Sequence, residues 1–401
     1  MSILSGKKIV LGVSGGIAAY KAAELIRLFK KADCEVNVIM TDAAKEFIQP
    51  LTFQSLSGNT VYDKMFDQDM ELHIGHISLA RWADLIVIAP ATANIIGKLA
   101  NGIADDLLST VCMAFKGNIA IAPAMNEAMW ESKAVQKNIA ELKSWGWYIP
   151  GPAEGDQACG ETGWGRMIEP SEIISHVERI FSPQIFTGAN IMVTAGPTRE
   201  IIDPARFISN ESSGKMGYAI AEAACKWGAK TILVSGPTAL PEPIGVNVIK
   251  ITSAEEMYKA VMKNIKNIDI FISAAAVADY KPEKFSVQKI KRNSEVFELK
   301  LVKTPDILGS VAFLKKPPFI VGFSAETENL LKNASKKLTD KKIDMIAANL
   351  VGGGKGFGSE QNELVVIFKD GKSKKLSLKN KTLLAYELLS CISQQYKSFR
   401  N

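Results

Sequence analysis

The sequence predicts an α/β protein built from two three-layer domains, each with a mostly parallel sheet between two layers of helices. The first observation is length, because 401 residues exceed one typical domain. The second is that short runs rich in Val and Ile alternate with amphipathic helical stretches along the chain. The third is that these runs are apolar at nearly every position, which is typical of strands buried on both faces of a parallel sheet.

The elements of each half follow from this alternation. In the first half we predict strands over 8–13, 35–41, 85–89 and 118–122, and helices over 17–31, 105–115, 127–145 and 171–181. In the second half we predict strands over 191–194, 231–235, 269–273, 319–323 and 344–348, and a helix over 218–227. The predicted domains are therefore 1–182 and 190–401, joined by a linker over 183–189.

The charge changes sign at the predicted linker. Residues 1–182 contain 16 Lys and Arg against 21 Asp and Glu, whereas the rest contains 32 against 21, so the net charges are −5 and +11. The basic half is expected to bind something anionic. No signal peptide and no run of 18 apolar residues is present, and the five Cys lack the spacing of a zinc site or a disulfide framework. We therefore expect a cytoplasmic protein without a membrane partner.

Small and polar residues follow several predicted strands, which is where parallel sheets bind ligands. The glycines over 12–16 suit a phosphate at a helix N-terminus, or simply a tight turn. This segment also matches the G-x-S-x-G elbow of hydrolases, but the chain lacks a convincing later Asp and His partner. Asn94 and Asn126 are suited to a flat cofactor or a carboxylate, or to capping the helices that they open. Cys159 lies in a Gly-rich loop, where a thiol can act as a proton donor or a nucleophile.

The two clustered histidines are ambiguous. His73 and His76 belong to the sequence HIGH, a signature of one class of tRNA-charging enzymes. That class places the motif just after its first strand and pairs it with a KMSKS-like loop, neither of which is found here. A metal is disfavoured because no third ligand is nearby. His76 is therefore either an acid–base group or a plain helix cap.

In the second half, charged residues stand among small ones. Asp279 follows a run of small residues that admits a flat ring, and its carboxylate suits a metal or a ribose. Lys337 and Lys341 share one helical face, which suits a triphosphate, although charge runs are usually solvated. The Gly-containing segments over 208–217 and 352–358 are further phosphate candidates or plain loops.

Together these motifs occur in the order of one known family. They read GVSGGIAAYK, HISLARWAD, APATAN, PAMNEAMW, ACGETGWGRM, TAGPTRE, ISNESSGKMG, AAAVADYKP, KIK, TPDIL and GFSAET. This set covers essentially the whole chain. It resembles the bifunctional phosphopantothenoylcysteine decarboxylase and phosphopantothenate–cysteine ligase family of coenzyme A biosynthesis.

For the first domain, the resemblance implies a flavodoxin-like flavoprotein that binds FMN between the subunits of a trimer. His76 would assist oxidation of the substrate thiol, Asn126 would bind the substrate carboxylate, and Cys159 would donate a proton after carbon dioxide has left. The positions implied to contact FMN are Ser14, Gly15, Thr41, Thr92, Ala93, Asn94, Ile95 and Ser109.

For the second domain, the resemblance implies a Rossmann-like ligase that joins cysteine to 4′-phosphopantothenate through an acyl-cytidylate. It would use CTP and Mg²⁺ or Mn²⁺, with Asn210 and Lys289 as catalytic residues and Asp279 as a metal ligand. The implied CTP positions are Asp279, Lys289, Pro305, Asp306, Ile307, Leu308, Phe323, Lys337 and Lys341. The implied assembly is a homo-oligomer. The first domain would form trimers that assemble into a dodecamer, and the second domain would form dimers.

Two other interpretations remain open at this point. An adenylate-forming ligase built on the HIGH sequence predicts ATP-dependent exchange and no flavin. A non-catalytic flavoprotein or a nucleic-acid-binding module is disfavoured, because the lysines lack the interleaved aromatic residues of a base-stacking platform. We expect small phosphorylated ligands and no nucleic acid.

Overall fold

The structure is a computed structural model that describes residues 3–65, 75–157, 160–291, 297–350 and 359–400, the last of these without its side chain. The chain divides into two compact units, Met1–Ser182 and Pro183–Asn401. The predicted sites at His73, at Cys159 and over 352–358 lie outside the described residues.

The first unit contains a five-stranded, wholly parallel sheet in the order β3-β2-β1-β4-β5. A short antiparallel hairpin, β6–β7, stands apart from this sheet. The strands are β1 Lys8–Val13, β2 Glu35–Met40, β3 Val61–Tyr62, β4 Leu85–Ala91, β5 Asn118–Pro123, β6 Ala153–Asp156 and β7 Thr162–Arg166. The strands predicted in this half are confirmed, with ends that differ by up to two residues.

Helices cover both faces of this sheet. They are α1 Tyr20–Lys31 after a 3₁₀ turn at Ile17–Ala19, α2 Asp42–Lys45, α3 Pro50–Ser57, α4 Gly75–Trp82, α5 Ala93–Ala100, α6 Leu107–Ala114, α7 Glu127–Glu131, α8 Lys133–Ser144 and α9 Pro170–Phe181. Side chains alternate along β1, so that Ile9 and Leu11 pack with α1 and α9 while Val10 packs with α5 and α6. The single helix predicted over 127–145 is wrong, because Ser132 interrupts it and caps α8 by accepting the N–H of Val135.

The second unit contains an eight-stranded sheet in the order β12-β11-β8-β13-β16-β17-β18-β19, parallel except for its last two strands. Two antiparallel ribbons, β9–β10 and β14–β15, lie outside it. The strands are β8 Asn190–Ala195, β9 Arg199–Asp203, β10 Arg206–Ser209, β11 Lys230–Ser235, β12 Asn247–Lys250, β13 Ile270–Ser273, β14 Tyr280–Pro282, β15 Leu301–Lys303, β16 Phe319–Glu326, β17 Met345–Leu350, β18 Gln361–Phe368 and β19 Ser373–Asn380.

This larger sheet also lies between two helical layers. The helices are α10 Lys215–Lys226, α11 Ala254–Asn264 with a 3₁₀ turn at Ile265–Asn267, α12 Ile307–Ala312, α13 Leu330–Asp340 and α14 Lys381–Arg400. One core joins α10 and α14 to the sheet, and the other joins α11, α12 and α13 to its opposite face. The predicted α/β class with two three-layer units is thus confirmed.

The segment predicted as a linker, 183–189, packs against the second unit. Phe186 is 2% exposed, stacks on Trp227 with ring centroids 6.2 Å apart, and donates its N–H to the Trp227 carbonyl. The turn residues of this segment suggested a free connection, but the buried ring attaches it to α10. Across the part of the chain described here, each helix is too short or too polar to span a bilayer.

Candidate active sites

The first unit has a cavity of about 850 Å³ at the carboxyl ends of β1, β2, β4 and β5. This is the edge at which parallel sheets of this kind bind ligands. Seven of the eight positions predicted to contact FMN line it, namely Ser14, Gly15, Thr41, Thr92, Ala93, Asn94 and Ile95. The structure therefore brings together residues that are up to 81 positions apart in the sequence.

Ser14 holds two sides of this cavity in place. Its hydroxyl donates to the Pro90 carbonyl at 2.8 Å and accepts the Thr92 N–H at 3.0 Å, which ties the end of β1 to the end of β4. Because the Ser14 side chain is buried and already bonded, its part in the cavity is to fix the backbone around it.

The cavity wall fits a flat, phosphorylated cofactor. A Cβ at Gly15 would lie 2.4 Å from the Cβ of Ala43, so only glycine lets the chain pass here. Thr41 has a buried hydroxyl for which the described residues supply no hydrogen-bond partner. A buried hydroxyl without a partner costs about 1–3 kcal/mol, and an acceptor atom of a bound ligand would relieve that cost.

Asn126 caps a helix and also lines the cavity. Its Oδ1 accepts the Ala128 N–H at 2.9 Å, so the predicted capping role is confirmed, while its Nδ2 donates to the carboxylate of Glu161. Asn94 does not cap, since Thr92 precedes α5 and Asn94 lies within the helix. The amide of Asn126 is thus already in contact with a carboxylate, the group that it is predicted to bind in the substrate.

The β6–β7 hairpin lies directly on the turn that carries Asn126. A Cβ at Gly163 would lie 1.9 Å from the Glu127 carboxylate, and one at Gly165 would lie 2.3 Å from the Met125 carbonyl. Gly165 also has a φ of +131°, which favours glycine. Glycines of the predicted Gly-rich loop therefore permit close packing against the cavity edge.

Two further predicted residues do not line the cavity of their own chain. Ser109 is fully buried, and its hydroxyl and N–H bond Asp106 in a capping box at the start of α6. His76 lies half-buried in α4, which packs against α6. The structure does not bring either side chain to the residues around Ser14.

Several charged residues of the cavity were missed by the sequence analysis. Lys98 pairs with Asp105 at 2.7 Å and with Asp106 at 2.9 Å, and these hydrogen bonds raise the pKa of the Lys98 ammonium. Lys21 is nearly buried and donates to the Glu169 carboxylate at 2.9 Å. The same carboxylate also accepts a hydrogen bond from Arg166. Lys21 and Glu169 are 148 positions apart, so no local pattern in the sequence signals the pair.

In the second unit, predicted residues gather around a half-buried lysine that contacts the backbone of β16. Lys337 of α13 donates to the Phe323 carbonyl at 2.8 Å. Burial lowers the pKa of its ammonium, although Glu326 and Asp279 act in the opposite direction. Asp279 and Glu326, the second of which the sequence did not predict, are thus the carboxylates that favour the charged form of Lys337.

The second predicted lysine joins the same cluster through a carboxylate. Lys341 forms an ion pair with Asp306, whose other oxygen accepts the Gly309 N–H at 3.0 Å and caps α12. Pro305 precedes this cap. Ile307 and Leu308 pack their side chains into the core, so a ligand could meet only their backbone.

The two residues predicted to be catalytic in this unit lie in different surroundings. Asn210 donates from Nδ2 to the Val277 carbonyl at 3.0 Å, which holds the loop after β10 against the small residues that follow β13. Lys289 is exposed and lines another cavity, of about 600 Å³, with Arg206 and Lys291. The described contacts do not link Lys289 to Lys337.

A metal site made wholly of protein ligands is not found among the described residues, since no three acidic, His or Cys side chains are grouped to hold an ion. Mg²⁺ commonly keeps several waters and binds through one or two carboxylates together with substrate phosphates. The exposed carboxylate of Asp279 fits that second arrangement.

Two α/β units, one with a cofactor cavity and one with a lysine–carboxylate cluster at the ligand-binding edge of its sheet, are typical of a two-domain metabolic enzyme. Family models agree with this class. Residues 2–182 match the model described as Flavoprotein, and residues 186–396 match the one described as DNA/pantothenate metabolism flavoprotein C-terminal domain.

Full-length relatives narrow the class to one family. The coenzyme A biosynthesis bifunctional protein CoaBC of Vibrio cholerae is 49% identical over 98% of this chain and 100% of its own length. The protein of the same name from Haemophilus influenzae is 50% identical over 98% and 99%. A solved C-terminal domain of such a protein is 41% identical, covers 54% of this chain and 99% of its own, and has a TM-score of 0.47.

The chain belongs to the family of coenzyme A biosynthesis bifunctional proteins. It is an enzyme with a flavoprotein decarboxylase part and a ligase part, as the sequence predicts. The interpretation as a HIGH-containing tRNA-charging ligase is therefore wrong, because identity extends over both units and not over four residues alone.

Proposed function

We propose that the chain catalyses two consecutive steps of coenzyme A biosynthesis. Residues 190–401 join cysteine to 4′-phosphopantothenate with CTP, and residues 1–182 decarboxylate the product with FMN to give 4′-phosphopantetheine. The observation that carries this proposal is the cavity of the first unit, in which seven predicted FMN positions meet.

In the decarboxylase, FMN would supply an acceptor for the two electrons that leave the substrate when its thiol is oxidised. Ser14 and Thr92 fix a wall of the cavity that would hold it, and Asn126 would orient the carboxylate that leaves as carbon dioxide. Loss of carbon dioxide is favoured because the neighbouring oxidised sulfur-bearing carbon takes up the electron pair. The resulting enethiol would regain the two electrons from the reduced cofactor while Cys159 supplies the accompanying proton, which gives the thiol of 4′-phosphopantetheine and restores oxidised FMN. The Glu161 contact of Asn126 supports this assignment, since it pairs the same amide with a carboxylate.

His76 is proposed to act in the cavity of a neighbouring copy. This is supported by its position on α4, away from the residues that line its own chain's cavity. In a trimer with FMN between subunits, one subunit would contribute Asn126 and the next His76.

Hybrid trimers test this arrangement. His76→Asn and Asn126→Ala variants should each be inactive, and a mixture reassembled in equal amounts should regain about a quarter of the wild-type decarboxylase rate, because that share of sites has both native residues. A mixture that stays inactive although trimers have exchanged subunits would place both residues in one copy.

In the ligase, the carboxylate of 4′-phosphopantothenate attacks the α-phosphate of CTP, and pyrophosphate leaves. The cysteine amine then attacks the acyl carbon and releases CMP. Lys337 and Lys341 would neutralise the triphosphate, and Asp279 would hold a Mg²⁺ ion that supplies further positive charge. Such neutralisation is the main contribution that proteins make to these reactions. Asn210 orients the acyl-cytidylate. Lys289 stabilises the negative charge that develops on the phosphate in the first step.

The ligase unit is proposed to form dimers. Support comes from exposed apolar side chains on the ribbon β9–β10 and in the described part of the connection after β14, where Ile201, Phe207, Phe285, Val287 and Phe297 are each 49–79% exposed. Exposed apolar patches of this kind mark contact surfaces between proteins.

The proposed function is tested by two measurements on the purified full chain. Its absorbance spectrum should show bound flavin, and a colourless protein that does not bind added FMN contradicts the decarboxylase assignment. The chain should release pyrophosphate when CTP, 4′-phosphopantothenate and cysteine are all present. If ATP in place of CTP supports the same release of pyrophosphate, the CTP assignment is wrong.

A further inference from the structure

A fully buried carboxylate lies at the end of β9. The side chain of Asp203 has no exposed area, and four donors contact it. They are the Ala205 N–H at 2.8 Å, Nε and a terminal nitrogen of Arg206 at 3.0 and 2.5 Å, and the Ile290 N–H at 3.1 Å. Three of these donors share Oδ2 and the Ala205 N–H bonds Oδ1, so most of the acceptor capacity of this carboxylate, about four lone-pair sites, is used.

One of these contacts, from the Ile290 N–H, helps to attach a long connection to the ribbon β9–β10. The chain between β14 and β15 contains no helix or strand in its described part, and Lys289 lies within it. The Ser286 N–H bonds the Ile202 carbonyl at 2.9 Å, and Arg206 donates to the Ile290 carbonyl at 2.9 Å. With the Ile290 N–H on Asp203, Lys289 is held between two attachment points.

The charge of Asp203 is balanced by Arg206 and not by Lys289. The Arg206 hydrogen bond outweighs burial and holds the pKa of the Asp203 carboxyl well below its usual range, so that carboxylate is ionised and already neutralised. The Lys289 side chain is exposed, and no described carboxylate forms an ion pair with it. Asp203 thus bonds the backbone beside Lys289 without taking up its ammonium.

We propose that Asp203 is a positioning residue for Lys289, which it holds through the Ile290 N–H and through Arg206 in the orientation that the ligase reaction needs. The proposal rests on the proposed ligase function. It assigns Asp203 no contact with substrate, and it predicts that the carboxylate acts only through the segment that contains Lys289.

The test uses the full chain and a matched control. Asp344 is a second largely buried carboxylate of this unit. It accepts the Ile320 N–H at 3.0 Å and pairs with Lys369 at 3.4 Å, but it lies where β16 and β17 begin, at the opposite edge of the sheet. The variants are Asp203→Ala, Asp344→Ala, Lys289→Ala and the double variant of Asp203 and Lys289. Asp203→Asn replaces the first if that variant does not fold.

The expected result is a loss of ligase kcat on the order of 10²-fold in Asp203→Ala, since small misplacement of a reacting group has effects of this size. Amide exchange over 286–291 should accelerate in this variant and not in Asp344→Ala, which should keep its kcat. In the Lys289→Ala background, removal of Asp203 should cause no further loss, because its target is gone.

Two outcomes overturn the proposal. One is a normal kcat in Asp203→Ala, and the other is an Asp203 effect that is equally large with and without Lys289. Failure of the proposed function has a different signature, since the wild-type chain would then release no pyrophosphate with CTP before any variant is made.

Discussion

The two units of this chain have the same class of fold, but their candidate sites are built differently. The first site is a cavity of about 850 Å³ whose walls are backbone, small side chains and paired charges such as Lys98 with Asp105. The second is a set of charged side chains around Lys337, several of them exposed. A cofactor that stays bound needs a shape, whereas a triphosphate that enters and leaves needs charge. The difference between net charges of −5 and +11 agrees with this contrast.

The largest effect is expected from distorting the wall of the first cavity. Gly15→Ala places a Cβ 2.4 Å from that of Ala43 and 2.6 Å from its carbonyl carbon, an overlap that the backbone cannot avoid without shifting. We expect the purified variant to contain almost no flavin by absorbance and to lack decarboxylase activity, while its ligase activity stays normal.

The neighbouring glycine is a matched control for this variant. A Cβ at Gly16 would lie 3.5 Å from Cγ2 of Thr92, which is an ordinary contact. Gly16→Ala should therefore retain its flavin. Equal flavin loss in both variants would contradict the view that shape, and not loop flexibility, determines binding here.

A smaller but still large effect is expected from removing the charge at the centre of the second site. Lys337→Ala should lower the kcat/KM for CTP on the order of 10²-fold, because groups that stabilise transferring phosphates have effects of about this size. Lys336→Ala is the control, since Lys336 is exposed and adjacent in sequence. If the two variants lose the same amount of ligase activity, the half-buried position of Lys337 has no special role.

The same lysine predicts a pH dependence. Burial lowers the pKa of the Lys337 ammonium from 10.5, so its positive charge is lost at a lower pH than that of an exposed lysine. As the pH is raised, ligase activity should begin to fall before pH 10.5 is reached. Lys337→Arg, if active, should move this decline upward, because guanidinium stays protonated. A pH profile that is identical in the arginine variant would assign the decline to another group.

A moderate effect is expected at the hairpin of the first unit. The Glu161 carboxylate contacts the amide of Asn126, so it competes with the substrate carboxylate for that amide. Glu161→Gln should lower the decarboxylase KM several-fold, because a neutral amide competes less with a charged ligand. Glu154→Gln removes another carboxylate of the hairpin and should leave KM unchanged. A raised KM in Glu161→Gln would mean that Glu161 assists substrate binding.

The smallest effect concerns stability near the cavity. Burial would raise the pKa of the Asp106 carboxyl, but hydrogen bonds from Ser109 and Lys98 outweigh it, and the pKa lies below 3.8. Asp106→Ala should destabilise α6 by about 1 kcal/mol at neutral pH, which is typical for a lost helix cap. Amide exchange of α6 would measure it.

The pH dependence of this loss follows from the lowered pKa. Because the folded form holds the ionised carboxylate, its contribution is present above pH 3.8 and disappears as the pH falls through the lower folded value. The wild type and the variant should therefore converge in acid. Asp105→Ala, which removes only the exposed partner of Lys98, should leave the exchange of α6 nearly unchanged.

The sequence predicted nine of the nineteen described strands, including every parallel strand of the two large sheets except β3 and β12, because buried parallel strands are local apolar runs. It did not predict β18, β19 and α14, whose alternating or mixed pattern is weaker than that of buried parallel strands. For the sites, the motifs predicted seven of the residues that line the first cavity, but the contacts of Lys21 with Glu169 and of Asp203 with Ile290 were missed. These partners come from distant parts of the chain, and only tertiary packing brings them into contact.

The most direct test of two independent sites in one chain supplies CTP, 4′-phosphopantothenate and cysteine to the Gly15→Ala and Lys337→Ala variants, with pyrophosphate and carbon dioxide followed together. The first variant should release pyrophosphate at the wild-type rate without carbon dioxide. The second should release neither, yet should decarboxylate added 4′-phosphopantothenoylcysteine normally. Mixing the two should restore carbon dioxide release. If either substitution abolishes both activities, the two units do not work as separate sites and the account is contradicted.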